Sequence, residues 1–353
     1  MKIVTIGDYY RIGPVVAARH GIELFVLAHP RMVERDAGHP SVDGAYPYHP
    51  RYKLDPRAAH QVRDVVASVK PDLLHGFGSR PLASAVLGTL GMRDAPPIVS
   101  YRGIVDRASY RDPANFITYR HARVVAHACE SNAARDALIA SRIAPDACTT
   151  VYPCVWPSRL EPSRRSARES LGIPVDAFVV GTIATIRPVK RIDLLLRAAL
   201  RCTDLPNLYW LLIGPVRDPR VALLARHPRI RDRVRLPGYR IDAAALIRGA
   251  DVMALPSRRD SIARALLEAM AAGVCPMVSD SGGLKEAVRH GQDGLVFRRG
   301  NLSELIDTVR TLYADRDRMR TYAHSAQRRA RELFSPEQMS DRLIQFYRRV
   351  LAG

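Results

Sequence analysis

The chain alternates short apolar runs with helix-favouring stretches, and that alternation limits its fold more than any single motif. The first series contains "KIVTIG" (Lys2–Gly7), "IELFVLAH" (22–29), "DLLHGF" (72–77) and "PPIVSYRG" (96–103). "VVAARH" and "PRAAHQVRDVVASV" read as helices between them, and "ARVVAHACESNAARDAL" reads as strand, turn and helix after Ser131-Asn132. Runs this short, closed by Gly or polar residues and separated by helix-length segments, predict a parallel sheet flanked by helices.

Residues 151–177 break the pattern with a Pro-, Ser- and Arg-rich stretch that reads as an interdomain linker. The alternation then restarts with the strands "FVVGTIAT", "YWLLIG", "RVRLPG", "DVMALPS", "CPMVSD" and "GLVF", separated by helical segments. A chain of 353 residues with 47% hydrophobic content is long enough for two cores. The expected division is 1–157, 158–335 and a closing helix over 336–353. On that helix Met339, Leu343, Phe346, Tyr347 and Val350 share one face, which needs a partner.

Net charge is +19, almost all of it from arginine, with +5 over residues 1–157 and +14 over 158–353. This balance favours anionic partners such as phosphorylated substrates or an anionic membrane face. Nucleic acid is not expected, because no aromatic-interleaved basic strand or nucleic-acid module accompanies the charge. Arg310, Arg316, Arg318, Arg320, Arg328, Arg329 and Arg331 read as a basic surface. Five cysteines form no CxxC pair and no zinc-type spacing, which suits a reducing cytosol. The start is too short and polar for a signal peptide, and no apolar run is long enough to span a bilayer. The expected location is the cytoplasm, with any membrane contact peripheral at the inner face.

In doubly wound folds, ligands sit at the carboxyl ends of the strands. Three segments put suitable groups there. "VVGTIATIRPVKRID" leads from a strand into a basic loop, so Arg187, Lys190 and Arg191 lie near a helix start, where a phosphate is favoured. "DSIARALLEAM" reads as a helix capped by Asp260, with Glu268 two turns on. Eight helical residues separate such carboxylates by roughly 12 Å, too far to share a proton or to act as a glycosidase acid pair. They are either two ends of one ligand site or a cap and a surface charge. "SDSGGLKEAV" places Ser281-Gly282-Gly283 before a helix, which fits either a ligand approach or a tight turn. GxGxxG, GxxxxGK[ST] and GxSxG are absent, and "DRD" at 315–317 reads as charged surface.

Together these segments resemble glycosyltransferase family 4, the retaining group 1 enzymes of GT-B fold. "SRRDSIARALLEAMAAGVCPMVSDSGGLKEAVRHGQDGLVF" is similar to the family's EX7E block, and "GTIATIRPVKRIDLLLRAA" to its phosphate-binding strand–loop–helix. "FSPEQMSDRLIQFYRRVL" is similar to the closing helix that crosses back onto the N-terminal domain. The resemblance implies two Rossmann-like domains facing across a cleft, the first binding acceptor and the second binding a nucleotide sugar. It implies Lys190 on the donor diphosphate, with Arg187 and Arg191 adding charge. Glu268 would take the ribose and Asp260 the transferred sugar. The N–H groups of Ile262, Ala263 and Arg264 would meet the diphosphate or sugar, and the base would stack near Gly238 and Tyr239. Gly7, Arg11, Gly13, His75 and Arg102 fall on the acceptor or cleft side. No metal or other cofactor is expected, because cations and helix dipoles would stabilise the leaving diphosphate. The implied acceptor is a saccharide or lipid-linked glycan.

The sequence departs from the family pattern at four places. Asp260 replaces a glutamate, Thr185 stands where an arginine is usual, and Arg102-Gly103 replaces a His-Gly pair. The N-terminal glycine loop is reduced to Gly7 and Gly13. These departures keep two alternatives open, a catalytically weakened binding subunit and a nucleotide-sugar epimerase of the same fold.

Overall fold

The computed structural model describes residues 1–7, 13–36, 41–155 and 163–353. The chain divides into two compact units, Met1–Tyr152 with Pro336–Gly353, and Pro153–Ser335.

The first unit runs β1 (Lys2–Gly7), α1 (Gly13–His20), β2 (Glu23–Ala28), α2 (Pro30–Asp36), β3 (Gly44–Pro47), α3 (Pro56–Val69), β4 (Leu73–Phe77), α4 (Ser79–Thr89), β5 (Ile98–Arg102), α5 (Pro113–Tyr119), β6 (Val124–Cys129), α6 (Asn132–Ile139) and β7 (Cys148–Thr150). Among the described residues the strands form one sheet in the order β3-β2-β1-β4-β5-β6-β7, every pairing parallel. Parallel strands buried on both faces must be apolar throughout, which is why β1 and β4 are near-continuous hydrophobic runs. Local chemistry sets the helix ends. Asp55 caps α3 by accepting the N–H groups of Arg57 and Ala58, with Pro56 at the first helical position. That helix then buries Val62, Val65, Val66 and Val69.

The second unit runs α7 (Arg164–Ser170), β8 (Phe178–Ile183), α8 (Ile192–Arg201), β9 (Leu208–Ile213), α9 (Pro219–Ala225), β10 (Val234–Gly238), α10 (Ala243–Leu246), β11 (Val252–Leu255), α11 (Arg264–Ala271), β12 (Cys275–Ser279), α12 (Leu284–Ala287), β13 (Leu295–Phe297), α13 (Leu302–Ala314) and α14 (Arg316–Leu333). Its described strands order β10-β9-β8-β11-β12-β13, again all parallel. Strand order reverses direction between β8 and β11. The loops leaving their carboxyl ends therefore splay apart and leave a crevice, the usual ligand position in such sheets.

The final helix, α15 (Pro336–Leu351), belongs to the first unit. Its apolar face is covered there: Met339, Leu343, Phe346 and Tyr347 are buried, and the helix packs on α1 and β6. Polar contacts fix its register. His20 Nε2 lies 3.1 Å from Ser340 Oγ, the Arg19 guanidinium pairs with Asp341 at 3.2 Å, and Arg349 reaches Thr149.

Two expectations change. Part of the presumed linker is α7, packed into the second unit. Arg168 on α7 is 3% exposed, pairs with buried Asp251 at 2.8 Å and donates to the carbonyl of Gly249. Asp251 also accepts the Val179 N–H at 2.7 Å, so the charge pair ties α7 to β8. The C-terminal arginines form only part of the expected basic surface, because some of them are turned inward. Arg316 lies 4.1 Å over the Phe178 ring, and Arg329 donates to the carbonyls of Glu286 and Ala287. Arg310 pairs with Asp204, and Arg320 with Asp317. In the "DRD" stretch, Asp315 caps α14 through the Arg318 N–H. Arg316 and Arg329 are thus held within the unit, while Arg318, Arg320, Arg328 and Arg331 stay exposed on its surface.

Candidate functional site

Lys190 and Asp260 meet at the crevice of the second unit. Lys190 closes a 3-10 turn, Pro188–Lys190, in the loop after β8, and Asp260 lies in the loop after β11. Lys190 Nζ donates to Asp260 Oδ2 at 2.6 Å, with the two side chains 18% and 14% exposed. Ser257 Oγ donates to the same carboxylate oxygen at 3.0 Å, and Ser279 Oγ holds the Ser257 carbonyl at 2.7 Å. Two backbone bonds fasten the loops together: Arg258 N–H to the Val189 carbonyl at 2.8 Å, and Gly283 N–H to the Asp260 carbonyl at 3.1 Å. The loops after β8, β11 and β12 are thus one hydrogen-bonded assembly.

Asp260 is not the cap of α11. The helix begins at Arg264 with Ala263 at the N-cap position, and no side chain caps it. Ser261 and Ile262 are buried in a bend, so the carboxylate turns back to Lys190 and Ser257 instead. The gap from Asp260 to Glu268 is therefore only partly helical. Glu268 is half-buried on α11, one turn after Arg264. Among the described residues no acceptor takes the N–H of Ile262 or Ala263, which suits both to an anionic ligand.

Arg187 is exposed at the entrance of the 3-10 turn, and Thr185 is exposed beside it. Arg191 adopts a left-handed backbone, φ 52°, and its guanidinium holds buried Asp193 at 3.1 Å. Gly214, at φ 132°, presses so close to the Ala184 carbonyl that a Cβ would stand 1.9 Å from it. Only glycine fits there. On the far side of β9, Gly238 ends β10 at φ 72° and accepts the Gly214 N–H at 2.8 Å. Tyr239 follows, 73% exposed. Two strand spacings, roughly 10 Å, separate β10 from β8, about the span from a diphosphate to a base.

In the first unit the expected residues divide. Gly7 ends β1 at φ 102°, against Pro81 of α4, and Gly13 opens α1. Arg11 lies outside the described residues. His75 is not available to a ligand: it is fully buried on β4, with Nδ1 2.6 Å from the Tyr347 hydroxyl of α15 and its ring against Phe77. Burial pushes its pKa down to about 3. Arg102 is also internal, 5% exposed. It donates to the Tyr119 hydroxyl at 2.8 Å and to the Asp106 carbonyl, fastening the loop after β5 to α5. The resemblance put both on the acceptor or cleft side, but their bonds lead into the unit's interior.

Sequence reasoning missed Ser257, Arg258, Arg259 and Arg299. A pocket of about 510 Å³ is lined by Arg191, Arg258, Arg259, Arg299 and Gly300. The signal was present in "SRRD", two arginines against the acidic residue. Among the described residues no group of three or more His, Cys, Asp or Glu is placed to hold a metal, and no helix is long and apolar enough to cross a membrane.

Two Rossmann-like units of parallel sheet, with the last helix returned to the first, define a GT-B fold. The sequence pattern of Glycosyl transferases group 1 matches residues 163–330, and that of Glycosyltransferase Family 4 matches residues 16–159. The D-inositol 3-phosphate glycosyltransferases of Mycobacterium tuberculosis and Mycobacterium bovis are 33% identical over 199 residues, which is 53% of this chain but only 40% of theirs. HepE of Anabaena, crystallised with UDP and glucose, superposes with a TM-score of 0.79 at 21% identity, covering 98% of this chain and 99% of that one. A glycosyltransferase from Rickettsia africae gives 0.81 at 16% identity, covering 99% and 98%. The chain belongs to glycosyltransferase family 4.

Proposed function

We propose that the protein transfers a sugar from a nucleotide-diphosphate donor to a saccharide or lipid-linked glycan acceptor, with retention at the anomeric carbon. The observation that carries this reading is the Lys190–Asp260 pair, seated at the carboxyl ends of the two strands that flank the crevice of the second unit. Without donor the two charges neutralise each other. With donor, the Lys190 ammonium exchanges Asp260 for the diphosphate, and Asp260 is released to the sugar hydroxyls. Arg187 and Arg191 add charge where Thr185 adds none. Glu268 takes the ribose, and Tyr239 lies beside the base. The C1–O bond to the diphosphate breaks as C1 bonds to the acceptor oxygen, and the acceptor proton passes to the departing diphosphate. Fixed cations at that point stabilise the developing charge, so the reading includes no metal requirement. The first unit would hold the acceptor. A cytoplasmic enzyme acting peripherally at a membrane, in cell-surface polysaccharide or glycolipid synthesis, fits these features.

A thermal-shift panel of nucleotide sugars on the full chain identifies the donor, because a ligand of the native state raises stability by mass action. Lys190→Ala and Glu268→Ala are each expected to lower turnover by at least about 100-fold with folding intact. Near-normal rates in both would remove the assignment. An unchanged rate in the presence of a chelator supports the absence of a metal, and a chelator-sensitive rate restored by a divalent cation removes it. The substitutions at Thr185 and Asp260 favour a second reading, a subunit that binds nucleotide sugar without transfer. Calorimetric binding with no product across a broad acceptor panel would establish that one. Donor consumed with no acceptor present would indicate epimerisation.

A further inference from the structure

The pocket of about 510 Å³ adjoins the reacting pair, since Arg191 follows Lys190 and Arg259 precedes Asp260. Three loops of the second unit build it: Arg191 comes from the loop after β8, Arg258 and Arg259 from that after β11, and Arg299 and Gly300 from that after β13. Backbone bonds tie these loops in place. The Arg258 N–H donates to the carbonyl of Val189, next to Lys190, and the Arg299 N–H donates to Asp280 Oδ1 at 2.9 Å. Two of the four arginines are engaged: Asp193 holds the Arg191 guanidinium, and Arg259 has a partner of its own. The other two, Arg258 and Arg299, are exposed, and among the described residues their side chains make no ion pair or hydrogen bond. No carboxylate lines the pocket, and the Asp260 carboxylate is taken by Lys190 and Ser257. Two free guanidiniums therefore face a space with room for part of a sugar ring as well as an anion.

We propose that Arg258 and Arg299 receive the carboxylate of a uronic acid, so that the donor is a nucleotide-diphosphate uronic acid and not a neutral hexose. This rests on the glycosyltransferase reading and names its donor class. The charge fits: a carboxylate offers two oxygens with about four lone-pair sites, which two guanidinium forks satisfy with directed bonds. The order along the sheet fits as well. A nucleotide sugar is a linear molecule of base, diphosphate and sugar. The reading sets the base at the end of β10, the diphosphate at Lys190 after β8 and the sugar at Asp260 after β11. The same line across the sheet continues to Arg299 after β13. What lies beyond Asp260 is the far edge of the sugar, where a uronic acid carries its carboxylate and a hexose only a hydroxymethyl group. A hydroxymethyl group would leave both guanidiniums without a counter-charge. The carboxylate belongs to the donor, because every residue of the pocket lies in the second unit and the reading gives the acceptor to the first.

Calorimetry on the full chain tests this with donors paired by base, UDP-glucuronic acid against UDP-glucose and GDP-mannuronic acid against GDP-mannose. In the pair with the accepted base, the uronic acid is expected to bind at least about tenfold tighter than its neutral counterpart. Arg258→Gln and Arg299→Gln should each remove most of that preference, with affinity for the neutral sugar and the free nucleotide kept within about twofold of the parent. Circular dichroism checks that both variants fold. Equal affinity for the two donors, tighter binding of the neutral one, or a preference that survives both substitutions would overturn the proposal. The last outcome would trace the preference to the net charge of the chain and not to the pocket. A loss falling equally on uronic acid, neutral sugar and free nucleotide would overturn it too, because the two arginines would then serve the diphosphate. Failure of every nucleotide sugar and every free nucleotide to bind would instead overturn the glycosyltransferase reading.

Discussion

Acidification should loosen the first unit well before its carboxylates titrate. His75 and His127 are buried on β4 and β6, the strands on either side of β5, His75 bonded to Tyr347 and His127 Nδ1 to Ser100 Oγ at 2.7 Å. Burial holds their pKa values down to about 3 and about 4 from an ordinary 6.5, with Arg102 adding to the depression at His127. The unfolded chain takes up protons below 6.5 that the folded chain refuses. Their contribution is therefore complete above 6.5 and is lost as pH falls toward the folded values. Between about pH 7 and about pH 5 each histidine costs about 2 kcal/mol, or about 4 kcal/mol together. The Asp groups whose pKa values are depressed, such as Asp112 and Asp218, start from 3.8 and lose their contribution only below this window. Urea unfolding at both pH values measures the change. Hydrogen exchange in β4 and β6 assigns it to the first unit, because a chain of two units need not unfold in one step. The double variant His75→Asn, His127→Asn retains a polar atom near each Nδ1 and removes both titrations. Its absolute stability will be lower, but the difference between the two pH values should shrink by about 4 kcal/mol. A difference unchanged to within about 0.5 kcal/mol would refute the reasoning.

Three further outcomes follow from the second unit. Asp260→Asn should lower kcat by about 100-fold, and Asp260→Glu should stay within about tenfold of the parent because it keeps the charge for Lys190; steady-state kinetics with the identified donor decides, and equal rates for Asn and Glu would show that the charge is not used. Gly214→Ala should destabilise the unit by at least about 2 kcal/mol and weaken nucleotide binding, since its Cβ displaces Ala184 at the root of the Lys190 loop; thermal melting and calorimetry measure both. Arg168→Ala should cost about 3 kcal/mol by leaving Asp251 in the interior with fewer partners, and Arg168→Met combined with Asp251→Leu should recover part of it; denaturant unfolding separates the two.

The strands were legible because parallel sheets demand continuous apolar runs, and "YWLLIG" or "DVMALPS" satisfies that demand without reference to the rest of the chain. What stayed hidden depends on partners far away in sequence. Arg168 looked like linker charge because Asp251, which buries it, comes 83 residues later. Asp260 looked like a helix cap because its neighbours favour helix, while Lys190, 70 residues earlier, takes the carboxylate. His75 was expected on the cleft side, yet Tyr347, 272 residues on, receives it. The Lys190 loop was readable from its own composition as a basic turn at the carboxyl end of a strand. The arginine pocket was not, since its members come from three loops that only the sheet order brings together.

The return of α15 to the first unit has a consequence for how the protein is made. A ribosome releases β1 to β7 before the second unit, but the helix that covers α1 and β6 and receives His75 only after it. The second unit can finish folding while the first still waits, part of its apolar surface open. The first unit of a nascent chain is thus exposed longer than the second. Removing residues 336–353, or attaching a bulky fusion to α15, will register as misfolding of β1 to β7, the far side of the sequence from the change.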